Sequence, residues 1–165
     1  MSEIKIIIRE IRPEDNSQIG RVIKNCFPEW DIPRIGTAFE DPETKKMYEA
    51  YQQPREVYFV VERDGKILGG AGIKQLKNFE GNVCELQKMY FAAEIRGMGL
   101  GKKMMNTCLE AAKNFGYDLC YLESASQLKS AIRLYEKTGF EHRDKPLGNT
   151  GHYSCGVWMV KNLNS

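Results

Sequence analysis

The 165-residue chain has only two histidines, His142 and His152. Neither stands at ligand spacing from cysteines or carboxylates, so no metal is expected. The five cysteines, Cys26, Cys84, Cys108, Cys120 and Cys155, are odd in number, scattered and never spaced as CxxC. That pattern excludes a disulfide framework and reads as reduced thiols, mostly small core residues, in an intracellular, cytoplasmic protein. Charge of one sign is not in excess: 24 basic against 22 acidic residues leave a net +2. This is too little for non-specific nucleic-acid binding, and no nucleic-acid partner is expected. Long apolar runs are missing too. The run in "MSEIKIIIRE" is too short for a signal peptide and nothing later is long enough to span a bilayer, so no membrane partner is expected. There is no internal repeat, low-complexity tract or linker, and residues 1–165 have the length of one domain.

What is present alternates between strand and helix patterns. Ile4 to Ile8 form a β-branched run and read as a strand. Pro13 can open a helix through "EDNSQIGRVIKNCF", with Ile19, Val22, Ile23 and Cys26 on one face. Pro28 to Pro54 is less regular, with a helix expected near "DPETKKMYEAYQQ". "EVYFVVERDGKILGGAGIKQL" reads as a hairpin turning at Asp64-Gly65, and "VCELQKMYF" as a further strand. A helix follows with Leu100, Met104, Cys108, Ala111 and Phe115 on its apolar face and Gly116 as C-cap. "DLCYLES" is a strand, and "LKSAIRLYEKTG" a helix stopped by Gly139. "FEHRD" and "HYSCGVWMV" close the chain as strands. The order implies an α/β fold with a mixed sheet flanked by helices.

The stretch Phe91–Gly116 breaks local rules. Gly97, Gly99 and Gly101 interrupt the chain just before a good helix, and Lys102 and Lys103 stand in that helix's first turn. Glycine costs conformational entropy, and cations there face the positive end of the helix dipole. An anion bound at the helix N-terminus reconciles both, because glycines let phosphate oxygens approach the main chain and Arg96, Lys102 and Lys103 surround the negative charge. The plain alternative is a glycine-rich turn with solvated lysines. The dinucleotide fingerprint GxGxxG fails, since Lys102 or Met104 stands where its third glycine belongs, although Glu123 ends the next strand as a ribose-binding acid would. The P-loop spacing fails as well.

"ELQKMYFAAEIRGMGLGKKMM" resembles the GNAT superfamily of N-acetyltransferases, whose pyrophosphate loop reads [RQ]xxGx[GA], here Arg96, Gly99 and Gly101 with Gly97 added. "AIRLYEKTGF" resembles the family's helix and turn beside the acyl-CoA thiol. The resemblance is strong over Glu85–Phe140. It implies a single GNAT acyl-CoA N-acyltransferase domain with a mostly antiparallel sheet, acetyl-CoA as co-substrate, and a small-molecule or peptide amine as acceptor. By the same resemblance Arg96, Gly97, Met98, Gly99, Leu100, Gly101 and Lys102 hold the pyrophosphate. Met89, Tyr90 and Phe91 line the acetyl and pantetheine arm, with a main-chain N–H near Met89 or Tyr90 on the carbonyl oxygen. Leu128 departs from the family, many members of which have asparagine there.

For chemistry, Glu85 is the expected general base on the amine, set against an ordinary polar residue on a half-exposed strand; His152 is the alternative base. Tyr135 is the expected proton donor to the thiolate, set against a core tyrosine with its hydroxyl satisfied. Phe27–Tyr51 and "GNTGHYSC" are expected to shape the acceptor cleft. Glu29, Asp31, Glu40, Asp41 and Glu43 are either a lure for a cationic amine or a solvated face, and Trp30 either a cleft wall or core. Cys155 reads as core within an apolar strand, so attack is expected to be direct, without an acyl-enzyme. A non-catalytic acyl-CoA-binding regulatory module is the alternative function, and homodimerisation is left open.

Overall fold

The computed structural model describes residues 5–30, 33–34, 36–152 and 155–164, apart from the side chain of Trp30. Ile4, Asp31, Tyr153 and Ser154 lie outside the described residues, as does the question of whether Trp30 walls a cleft. Seven strands form one sheet: β1 (Ile6–Glu10), β2 (Val57–Arg63), β3 (Lys66–Gln75), β4 (Val83–Phe91), β5 (Leu119–Ser124), β6 (Glu141–Arg143) and β7 (Val157–Asn162). Their order is β1-β2-β3-β4-β5-β7-β6, and every pairing is antiparallel except β4 with β5. The helices are α1 (Asn16–Trp30), α2 (Met47–Ala50), α3 (Leu100–Asn114) and α4 (Lys129–Thr138).

Period-two alternation in β2 sends side chains to two cores. Tyr58 and Val60 pack with Ile19, Ile23 and Phe27 of α1 on one face. Val57 and Val61 pack with Met104, Met105 and Cys108 of α3 on the other. Each fully buried side chain of this size contributes roughly 1.5–3 kcal/mol of burial free energy. The hairpin turns at Asp64 and Gly65, both at positive φ (49° and 82°), as a tight turn of this kind requires.

Four expectations need correction. The first helix runs three residues past Phe27, carrying Pro28 inside its last turn. The helix near Pro42 divides into a 3₁₀ turn, Pro42–Lys45, and the four-residue α2. On α3 the buried stripe is Leu100, Met104, Met105, Cys108, Leu109 and Ala112, while Ala111 and Phe115 are only half-buried; two adjacent i, i+4 rows face the sheet instead of one. The last strand starts at Val157 rather than His152, leaving Cys155 outside it.

Two irregularities in β4 position the site. Pairing with β5 ends at Leu86↔Leu122, yet β4 runs on to Phe91, so the two parallel strands part. On the other edge the register with β3 shifts between Gly70↔Tyr90 and Gly72↔Gln87. This bulge is centred on Lys88, whose φ is +48° and whose carbonyl accepts a 2.8 Å hydrogen bond from the buried Tyr58 hydroxyl. Glycine is required opposite it: a Cβ on Gly70 or Gly72 would lie 2.5–2.6 Å from the Tyr58 ring.

Candidate active site

The gap between β4 and β5 opens into a cleft of about 510 Å³ on the α3–α4 side. Its walls include Met89, Tyr90, Phe91, Arg96, Gly97, Gly99, Leu100 and Gly101, together with Leu128, Leu134 and Tyr135. Gly97 and Gly99 both have φ of +76°, and a Cβ at either would meet nothing within 4 Å, so the loop presents bare main chain to open space. Gly99 caps α3, whose first backbone bond runs from Lys103 N to Gly99 O at 3.3 Å. The N–H groups of Leu100, Gly101 and Lys102 therefore have no carbonyl within the helix, and the dipole's positive end adds to them. A pyrophosphate fits this cradle.

Two residues expected at this loop stand apart from the cleft. Met98 is 51% exposed and lines a separate groove with Ile6 and Ile8, and the exposed Lys102 side chain is not among the cleft walls. The Arg96 guanidinium is bound by Glu29 of α1 and donates to the Phe91 carbonyl at 2.8 and 3.0 Å. It ties the loop to β4 and α1. Glu29 thus belongs to a strut and not to an acidic lure.

Deeper in, a cavity of about 50 Å³ shares Met89, Tyr90, Leu128 and Tyr135 with the first cleft. The same cavity shares Glu85, Gln87, Lys88 and His152 with a third cleft of about 790 Å³ on the other side. The sheet's gap thus joins two large clefts through a narrow point, with Glu85 and Tyr135 both on its wall.

Glu85 is 3% exposed, which overturns its reading as a half-exposed strand residue. Burial, and then the charge of Glu123, push its carboxyl up to about 7, against the opposing effects of the Gln87 hydrogen bond, His152 and Lys88. Gln87 Nε2 donates to Glu85 Oε1 at 2.7 Å, and the Tyr51 hydroxyl donates to Gln87 Oε1 at the same distance. A carboxyl near 7 is poised for proton transfer at neutral pH. Glu123 accepts from Tyr121 at 2.7 Å and from Thr150, so it is occupied within the chain.

Tyr135 is buried on α4, its ring edge-on to Phe140 with centroids 6.1 Å apart. Burial pushes its phenol above the ordinary value, so it keeps its proton more firmly than a free tyrosine. Cys155 lines the central cavity without belonging to a strand. Burial, with Glu123 and Glu85 nearby, pushes its thiol up to about 12, which leaves little thiolate for nucleophilic attack.

The third cleft is lined by Asp41, Glu43, Lys74, Lys88, Thr150 and His152, among others. Asp41 and Glu43 do not form a solvated face. Lys88 Nζ lies 3.1 Å from Asp41 and 3.3 Å from Glu43, Lys74 lies 3.3 Å from Glu43, and His152 Nε2 lies 2.6 Å from Asp41 Oδ2. Burial favours a neutral His152 ring, but the bond to Asp41 outweighs it and raises its pKa. The His152 Nε2 is thus engaged with Asp41 and not open to the cleft. Gln87 and Lys88 were not anticipated, and Tyr51 only as the end of the Phe27–Tyr51 segment; Gln87, two residues from Glu85 on the same strand face, carried a signal in the sequence. Among the described residues no cluster of three His, Cys, Asp or Glu could hold a metal, and no helix is long and apolar enough to cross a membrane.

A parallel strand pair that parts beside a glycine-capped helix is the arrangement that the resemblance to the GNAT family implies, and the comparisons agree. Residues 23–140 match the model of the acetyltransferase (GNAT) family. The chain is 44% identical to YjgM, an uncharacterized N-acetyltransferase of Escherichia coli (strain K12), over 95% of each chain. Its fold superposes on an acetyltransferase of the GNAT family from Staphylococcus aureus Mu50 with a TM-score of 0.85, covering 97% of this chain and 100% of that one at 20% identity. It also superposes on yncA, a putative acetyltransferase from Salmonella typhimurium solved with its cofactor acetyl-CoA, at 0.79, covering 98% and 95% at 20% identity. The chain belongs to the GNAT acetyltransferase family, and its enzyme class is that of an N-acetyltransferase.

Proposed function

We propose that the chain, acting as one domain over residues 1–165, transfers the acetyl group of acetyl-CoA to a primary amine by direct attack, with Glu85 as base and Tyr135 as acid. The observation that carries this reading is the narrow cavity whose wall holds both residues and which adjoins a glycine-lined cleft on one side and a charged cleft on the other. The donor is read from the bare main chain of Gly97 and Gly99 at the α3 N-terminus, and from the apolar groove of Leu128, Ala131 and Leu134 suited to a pantetheine arm. Bound there, the donor supplies a thioester carbonyl already activated toward amines.

The acceptor arrives mostly as ammonium, since an alkylamine of pKa about 10.4 is neutral in only a small fraction at pH 7. Glu85 takes one proton, directly or through water, as the nitrogen becomes nucleophilic. The C–N bond then forms and the C–S bond breaks. Main-chain N–H groups at Met89 and Tyr90, on the strand that the Lys88 bulge turns, stabilise the charge that gathers on the carbonyl oxygen. Tyr135 protonates the departing sulfur, and the second amine proton restores the phenol through water. The sum is an amide, a free thiol and one proton released to solvent.

The raised pKa that burial gives Tyr135 makes the loss of its proton harder, so the proton moves to sulfur only late in the step, when the charge there is greatest, and the amine proton that restores the phenol drives the transfer to completion. Cys155 takes no part. Burial of four cysteines as core residues supports a reducing, cytoplasmic setting. The test is thiol release from acetyl-CoA with a panel of amines, alongside acetyl-CoA binding. Binding without release from any amine would favour a non-catalytic module instead.

A further inference from the structure

Beyond the last pair, Leu86↔Leu122, the next residues of the parted strands are Gln87 on β4 and Glu123 on β5. Side chains alternate along a strand, so Glu85, Gln87, Tyr121 and Glu123 share one face of the sheet. Glu123 therefore stands across the gap from Gln87 and diagonal to Glu85, and both glutamates line the narrow cavity. After burial, the charge of Glu123 is the strongest influence on the Glu85 carboxyl, ahead of Gln87, His152 and Lys88.

Two glutamates at one narrow point call for a counter-ion, and the described residues supply none. Lys74, Lys88 and His152 are engaged by Asp41 and Glu43 at 2.6–3.3 Å. Among the described residues neither Glu85 nor Glu123 has an ion pair; their bonds come from neutral groups. Tyr121 donates to Glu123 Oε2 and Thr150 to Oε1. A carboxylate has about four lone-pair sites, so these two hydroxyls orient it without filling it or cancelling its charge. Glu85, only 3% exposed, accepts from Gln87 on Oε1 and from nothing on Oε2. Among the described residues no fully buried side-chain oxygen lacks a partner, so Oε2 is open to the cavity.

We propose that Glu85 Oε2 and Glu123 together form the nitrogen site of the acceptor, with Glu123 holding the ammonium by one N–H while Glu85 takes the proton of another. This rests on the acetyl-transfer reading above. The acceptor is thereby a strongly basic amine that binds as a cation, and not a weakly basic one such as an aromatic amine. One N–H bond breaks and one O–H bond forms at Glu85, leaving a neutral amine that still donates to the Glu123 carboxylate. An ammonium between the two glutamates also offsets their repulsion, so arrival of the acceptor favours the ionised base.

The experiment measures thiol release from saturating acetyl-CoA at pH 7, with linear alkylamines, diamines and phenethylamine as probes. Each is set beside its aminooxy isostere, in which an oxygen replaces the CH₂ next to nitrogen and leaves the nitrogen neutral. An accepted amine should have a KM below that of its isostere by about tenfold or more, the worth of one charge-assisted hydrogen bond. Glu123→Gln should erase that ratio by raising the KM of the amine, with the KM of acetyl-CoA unchanged. Glutamine keeps partners for both hydroxyls, an oxygen for one and an NH₂ for the other. Thr150→Val breaks the loop contact but leaves the carboxylate its charge, so the ratio should persist there. An isostere with as low a KM as its amine in the parent overturns the proposal, whether or not Glu123→Gln folds, and leaves acetyl transfer standing. A ratio unchanged in a folded Glu123→Gln, or lost equally in Thr150→Val, overturns it as well. No release from any amine, these or those of the wider panel, removes the acetyl-transfer reading, and this inference with it.

Discussion

Gln87 donates its amide N–H to Glu85 at 2.7 Å while the Tyr51 hydroxyl donates to the amide oxygen of Gln87, also at 2.7 Å. Tyr51 thereby fixes which end of the amide meets the carboxyl, since a phenol that donates to the oxygen leaves the NH₂ for Glu85. The bond favours the ionised carboxylate and holds down a pKa that burial raises. Replacing Gln87 with methionine removes the donor at similar volume. The groups that remain around Glu85 are Glu123, which raises its pKa, and His152 and Lys88, which lower it. The acid limb of the kcat/KM–pH profile should therefore move to higher pH, and a limb that stays in place would count against the relay.

Glu85→Gln should lower the rate most near neutral pH, by about 10²–10⁴-fold, the usual worth of one general base. The parent's kcat/KM should rise through pH of about 7 as the carboxyl ionises. The loss in the variant should shrink as pH rises, because more of the amine is already neutral. A variant that keeps the parent profile would make Glu85 a strand residue only.

The same substitution should change the pH dependence of stability. The folded-state pKa of Glu85, about 7, lies above its ordinary value of 4.5, so the folded state holds the extra proton between those limits. Stability linked to this group is full below about 4.5 and is lost as pH rises through 7. The loss amounts to roughly 3 kcal/mol at most, and Glu85→Gln should remove that slope. Denaturant midpoints of both proteins at pH 5 and pH 8 give the comparison.

Tyr135→Phe keeps the ring against Phe140 and removes only the hydroxyl. Turnover should slow while acetyl-CoA affinity and melting temperature stay near the parent values. A fall in stability that matches the fall in activity would make Tyr135 a core residue.

Gly99→Val places a β-branched residue at φ +76° and fills the space before the α3 N–H groups. The open surroundings let the protein fold at a cost of about 1–3 kcal/mol of backbone strain. Acetyl-CoA binding, read by calorimetry, should weaken sharply. Unchanged affinity in the folded variant would move the phosphate site elsewhere.

Cys155→Ala should leave most activity intact, since a thiol pushed up to about 12 is a weak nucleophile near pH 7. An acetylated cysteine that forms at the rate of turnover would overturn direct attack.

The element order, the turn at Asp64-Gly65, the glycine loop ahead of α3 and the end of α4 at Gly139 were legible because each rests on local chemistry. Periodicity, turn residues and positive-φ glycines act within a few positions of themselves. Glu85 and Tyr135 were legible only through resemblance, since nothing local distinguishes a glutamate on a strand from a polar surface residue. Burial made the difference for Glu85, and burial belongs to the packed sheet. Glu29 and Arg96 are 67 positions apart, His152 and Asp41 are 111. No window of sequence contains either pair.

By itself the sequence determined which segments are strands and helices, where a glycine loop opens a helix, and which family's pattern the chain follows. Those follow from propensity and spacing along the chain. Only the tertiary structure decided that Asp41 and Glu43 are paired rather than solvated, that Arg96 is tied to Glu29, and that Glu85 sits at the narrow point between two clefts. Charge pairing and desolvation depend on distances through space, and these exist only once β4 and β5 have parted and the bulge at Lys88 has turned the strand.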